Sequence, residues 1–74
     1  MKFMNEIELN EEATVDIVEA RPDIKRRFLD LGLVSGTKIK CVGKSPSGDP
    51  RAYLIRGAVI AIRSDDCSMV TVHL

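Results

Sequence analysis

Along residues 6–10 the chain alternates, Ile7 and Leu9 standing between Glu6, Glu8 and Asn10. A period of two predicts a short first strand or an extended arm there. Thr14 to Ala20 reads as a strand by the same pattern, with Val15 and Ile17 on one face and Thr14, Asp16 and Val18 on the other. The period then lengthens. Pro22 and Asp23 form a helix-start signal, proline fitting the first turn and aspartate complementing the positive end of the helix dipole. Ile24, Phe28 and Leu31 follow at i, i+4 and i+7 with Leu29 flanking, which makes one apolar helical stripe. Gly32 occupies the position where a left-handed residue ends a helix. The predicted helix is short, and Lys25, Arg26 and Arg27 lie mostly off its apolar stripe.

The remainder reads as β. Ser35-Gly36 is a turn, and Thr37 to Lys44 alternates Ile39 and Cys41 inward with Lys38 and Lys40 outward. Ser45 to Pro50 consists almost wholly of turn formers. Ala52 to Arg56 and Ala58 to Arg63 are two strands joined near Gly57, the second apolar on both faces as in a central or barrel strand. Ser64-Asp65-Asp66 turns the chain, and Ser68 to Leu74 sets Val70, Val72 and Leu74 against Met69, Thr71 and His73. The expectation is mainly β: a small barrel of about five strands with one short inserted helix, since closure removes the exposed edges of a small open sheet.

Length makes this one domain, residues 1–74. A chain this short buries only about 60% of its unfolded surface and has little volume for a deep, water-excluding active site. The 11 Lys and Arg balance 11 Asp and Glu, which argues against a nucleic-acid partner. That zero is segregated, with net −5 over residues 1–20 and net +5 over residues 21–44. No apolar run approaches the ~20 residues of a membrane helix, and no export signal is visible at the start. The expectation is therefore a cytoplasmic protein without direct membrane insertion, its Cys41 and Cys67 free thiols packed as small hydrophobes.

Chemical motifs mostly fail. Gly43-Lys44-Ser45 resembles the end of a phosphate-binding loop, but Lys38 stands where that motif needs glycine and the segment runs into a proline turn. Glu11-Glu12 and Asp65-Asp66 read as solvated surface. His73 is the single histidine and the one candidate metal ligand, with Met69 or a cysteine as its partner; an exposed strand residue is the plainer reading. One histidine and no long loops assemble no catalytic triad or carboxylate pair, so no enzyme activity is expected.

The informative feature is an order of pieces. Arg27-Phe28-Leu29-Asp30-Leu31-Gly32-Leu33-Val34-Ser35-Gly36 ends a helix, turns on glycine and launches a basic strand. Pro46-Ser47-Gly48-Asp49-Pro50, Val59-Ile60-Ala61-Ile62-Arg63 and Val70-Thr71-Val72 follow. Over residues ~14–74 this order resembles the FeoA family, small proteins of bacterial ferrous iron uptake. Phe28 stands where that family usually has leucine, and Ser35 replaces the usual proline before Gly36. The resemblance implies an SH3-like barrel and a role as a cytosolic accessory subunit that docks on the cytosolic part of a FeoB-type membrane iron permease and modulates transport. It implies no fixed cofactor beyond weak association with ferrous iron or another divalent transition metal.

On that reading the candidate contact residues are Arg26 and Arg27 on the helix, with Gly48, Asp49, Pro50 and Tyr53 at the loop end of the barrel. Gly32 and Gly36 set backbone geometry. The alternative is a stand-alone metal-binding sensor or chaperone related to the SH3-like domain of metal-dependent repressors. Exposed strand edges would also favour a homo-oligomer.

Overall fold

The computed structural model describes residues 2–74. Its strands are β1 (Lys2–Phe3), β2 (Glu12–Val18), β3 (Lys38–Lys44), β4 (Arg51–Ile55), β5 (Ala58–Ile62) and β6 (Val70–His73). Helix α1 (Pro22–Leu31) is inserted between β2 and β3, a one-turn helix α2 (Ser64–Cys67) between β5 and β6, and a 3-10 turn (Met4–Glu6) follows β1. All strand pairs are antiparallel, in the order β1-β6-β2-β3-β4-β5. The sheet curls so that its ends approach each other: the Tyr53 hydroxyl of β4 donates to the Met4 carbonyl at 3.2 Å, and the Arg51 guanidinium donates to the Ile7 carbonyl. This is the expected mainly β architecture with one inserted helix, gaining a sixth strand because Lys2 and Phe3 pair with Val72 and Thr71.

The core is built from the inward faces of these strands and one helix side chain. Ala13 and Val15, Ile39 and Cys41, Tyr53 and Ile55, and Val70 and Val72 are each buried two residues apart, as a curled sheet with one dry face requires. Phe28 closes the core from α1, with Ile24 and Leu31 packed against it. Helix α1 begins on Pro22 with Asp23 in its first turn. It ends where Gly32 adopts φ 83°. There the Gly32 N–H reaches the Leu29 carbonyl at 3.0 Å and the Leu33 N–H reaches the Phe28 carbonyl at 2.8 Å, while Leu33 and Phe28 are both buried. That pattern is a Schellman stop, and it turns the chain sharply back toward the sheet.

Four local expectations change. Residues 7–10 form no strand: after the 3-10 turn Ile7 drops into the core, Leu9 is exposed and Asn10 takes φ 68°. Ser64 to Cys67 is a helical turn, whose Ser64 N–H donates to Asp49 Oδ1 at 2.8 Å. Strand β5 is an edge of the sheet and not a central strand, and its outer apolar positions face solvent. Finally, Val15 and Ile17 do not share a face. The register of β2 against β6 shifts between them, Val15 lying opposite Val72 and Ile17 opposite Thr71. One extra residue, Asp16, inverts the alternation beyond it.

Candidate functional site

The bulge shapes an apolar hollow on the surface. Because Asp16 is inserted, Ile17 projects outward and is 53% exposed, while the next residue, Val18, packs against the core. The Thr71 hydroxyl spans the irregular ladder, accepting from the Ile17 N–H at 3.2 Å and lying 3.5 Å from the Ile17 carbonyl. Opposite this strand, α1 presents Leu29, 58% exposed and one position away from the buried Phe28. A hollow of about 280 Å³ lies between them, lined by Asp16, Ile17, Val18, Lys25, Leu29, Leu33, Val34 and Ser35. Ile17 also borders a neighbouring hollow with Phe3 and Met69, and Lys25 and Leu29 border another with Pro22 and Arg26. The first of these is an apolar groove between α1 and β2, and it shares Lys25 and Leu29 with the third, so cations run along its helix side.

The segment that closes the groove is fixed by hydrogen bonds. Thr37, a buried polar residue, donates from Oγ1 to the Gly32 carbonyl at 2.8 Å and accepts from the Val34 N–H at 3.3 Å. The Gly36 N–H reaches the Val15 carbonyl at 2.8 Å, with Gly36 at φ 90°. These bonds hold the loop after α1 down on β2 and so set the width of the groove. Gly32 and Gly36 both hold positive φ in the turns of this segment.

The sequence-derived contact residues separate into groups. Arg26 and Arg27 are exposed on α1, and Arg26 Nε lies 3.9 Å from Asp30 Oδ1. Gly48, at φ 87°, Asp49 and Pro50 lie in the loop before β4, where the Ser45 and Ser47 hydroxyls both donate to the Asp49 carbonyl. Asp49 spends one carboxylate oxygen on α2. Tyr53 is corrected: it is fully buried beside Cys67 in the core, so its side chain is closed to any partner. Burial raises the Tyr53 phenol far above its ordinary value and pushes the Cys67 thiol up to about 11, against the lowering effect of its hydrogen bond with Tyr53. Both cysteines are free and buried, as small hydrophobes should be.

His73 bonds through Nδ1 to Asp16 Oδ1 at the end of β6, and both side chains reach solvent. Met69 lies before that strand, not on its face. Among the described residues no three or more His, Cys, Asp or Glu side chains converge as a metal site would require. No helix among them is long and apolar enough to cross a membrane. Two groove residues were missed by the sequence reading. Ile17 was placed on one face with Val15 because a bulge has no local signature, whereas Leu29 carried a signal in flanking the apolar stripe.

Three comparisons bear on identity. A family model described as FeoA domain matches residues 3–74. A fusion of Fe(2+) transport protein A with the Fe(2+) transporter FeoB, from Porphyromonas gingivalis, is 30% identical over 71 residues, which is 96% of this chain and 8% of the fusion. The solution structure of FeoA protein from Chlorobium tepidum superposes with a TM-score of 0.93 at 34% identity, covering 99% of this chain and 70% of that one. The crystal structure of Stenotrophomonas maltophilia FeoA complexed with zinc, described as an SH3 domain protein, superposes with a TM-score of 0.85 at 29% identity over 97% of this chain and 89% of that one.

Proposed function

The chain belongs to the FeoA family, which is linked to ferrous iron transport, and on that premise we propose that it acts by docking on the cytosolic part of a FeoB-type iron permease and modulating transport. The observation that carries the reading is the relative in which such a domain and FeoB form one polypeptide, which places the two at high effective concentration. The chain corresponds to only 8% of that fusion, and the permease supplies the rest of the proposed pair. The groove between α1 and β2 supplies the contact surface. Its exposed Leu29 and Ile17 offer an apolar anchor site, Lys25 and Arg26 border it as a cationic margin, and Arg27 is a further exposed cation on the same helix. Apolar anchors set the lifetime of such a contact, while charges at the rim set its approach rate and selectivity.

Co-purification of the tagged protein from anaerobic, iron-limited cells tests this. The wild type is expected to recover the permease. Leu29→Glu should abolish recovery, and the Arg26→Glu, Arg27→Glu double variant should weaken it and make it less salt-sensitive. Recovery of the permease at wild-type level by all three proteins would remove the groove from the contact. Recovery of no permease by the wild type would remove the docking role itself.

A further inference from the structure

We infer that strand β5 is a self-association edge, on which a second copy of this chain adds in antiparallel register across a two-fold axis. The inference is independent of the permease contact, since no residue of β5 lines the groove. The hairpin between β4 and β5 turns on two residues, Arg56 at φ 49° and Gly57 at φ 83°, with Ile55 opposite Ala58. A two-residue turn of this kind closes on a hydrogen-bonded pair, here Ile55 and Ala58. Strict alternation then directs the N–H and C=O groups of Ala58, Ile60 and Ile62 toward β4, and those of Val59 and Ala61 outward. No turn, loop or side-chain hydrogen bond reaches Val59 or Ala61 among the described residues. Both residues are exposed, Val59 at 65%.

Natural edges are ordinarily blunted by lysine, proline, a bulge or an inward charge. This one carries none: Ala58-Val59-Ile60-Ala61-Ile62 is uncharged, and its pairing with β4 is regular throughout. The edge is also complementary to itself. With Ile60 on the two-fold axis, Val59 of each copy faces Ala61 of the other, and the two pairs exchange four backbone hydrogen bonds. The same register sets Arg63 opposite Gly57 of the other copy, so the two arginines fall at opposite ends and do not repel. Such an edge contact buries well under the ~1,200 Å² of a standard interface, which makes it a concentration-dependent dimer rather than an obligate one.

Sedimentation equilibrium of the full chain over a range from about 10 μM to about 1 mM reads this directly. The expected result is a mass rising from 8.2 kDa toward twice that value. Ala61→Pro removes an outward N–H without touching the β4 ladder, and Val59→Lys places a charge on the edge. Each should weaken dimerisation at least about tenfold while leaving the far-ultraviolet circular dichroism unchanged. Should Ala61→Pro perturb the fold, Val59→Lys alone carries the comparison. A wild-type mass that stays monomeric to the top of the range overturns the inference, as does a dimer that Val59→Lys leaves intact.

Discussion

Phe28 and Leu29 are neighbours in α1 with opposite environments, and truncating each to alanine separates folding from docking. Phe28 is completely buried in the core. Removing a buried phenylalanine costs about 3–5 kcal/mol, from lost transfer energy and the cavity left behind. A domain of 74 residues has roughly 4–11 kcal/mol in total at typical values per residue. Phe28→Ala should therefore remove a large share of the stability. Leu29 is 58% exposed, so less than half of its side chain leaves water on folding. Full burial of a leucine is worth about 1.5–3 kcal/mol, the realistic unfolded chain already hides part of that surface, and alanine is the better helix former. The loss for Leu29→Ala should stay below about 1 kcal/mol. Urea unfolding followed by circular dichroism measures both. With a slope of about 1 kcal/mol/M, the Phe28→Ala midpoint should fall by about 3 M or more and that of Leu29→Ala by under about 1 M. In the same pair of proteins, Leu29→Ala should lose the permease in co-purification while remaining folded. A Leu29→Ala midpoint lowered by about 2 M or more would show that the residue belongs to the core and would refute the separation.

Other outcomes follow from single contacts. Gly32→Ala should cost about 1–2 kcal/mol by thermal or urea melting, because φ is +83° and the new Cβ would lie 2.4 Å from Arg56 Cδ, whereas Gly43→Ala, whose Cβ would meet only Ala52 Cβ at 3.5 Å, should be far milder. Tyr53→Phe should cost about 1 kcal/mol through the lost bond to the Met4 carbonyl. Because Cys67 is held at about 11 when folded and titrates near 9.0 when unfolded, the unfolded chain releases its proton first; this thiol's contribution should be constant below about pH 9 and be lost as pH rises from about 9 to 11, so that stability falls less steeply there in Cys67→Ala. In native buffer both thiols should resist an aromatic disulfide reagent and react only after urea is added, since both are fully buried; fast labelling of either would contradict that burial.

How much of this was legible depended on whether the information was local. Helix α1 and its stop could be read directly, because proline, the i, i+4, i+7 stripe and a glycine at the left-handed position are all written within one stretch of chain. Strand β3 was equally plain from Ile39 and Cys41 alternating with lysines. Tyr53 could have been placed inward, since Tyr53 and Ile55 show the same two-residue spacing as the other buried pairs. The burial of Met4 had no such signal: it depends on the 3-10 turn and on Tyr53, 49 positions away. Ile17 and β5 failed for a shared reason. Which face a strand buries past a bulge, and whether a strand lies at an edge, are decided by its neighbours in the sheet, and those neighbours are remote in sequence. The groove therefore had one visible wall, the helix, and one hidden wall, the bulged strand.

The segregated charge now has a physical reading that the net zero conceals. The acidic first segment and the basic second segment meet along the β2–β3 seam, where Glu12 stands opposite Lys40 and Thr14 opposite Lys38. Lys2 adds a 3.6 Å pair with Glu11. That seam brings opposite charges onto adjacent strands. Around α1 the charges are exposed along one helix. Arg21 with Asp23 and Arg26 with Asp30 are exposed pairs at 3.7 and 3.9 Å, each worth well under about 1 kcal/mol and readily exchanged for a partner's carboxylate. Lys25 and Arg27 have no ion pair among the described residues. Screening over about 8 Å at physiological salt confines each charge to its own neighbourhood, so a neutral total removes long-range steering without weakening the cationic margin at close range. An apolar partner segment with acidic flanks satisfies both features of the groove, and a uniformly acidic surface satisfies only one. Removing Leu29 should therefore weaken binding equally at low and high salt, while reversing Arg26 and Arg27 should matter most at low salt. Equal salt dependence for the two variants would place the arginines outside the contact.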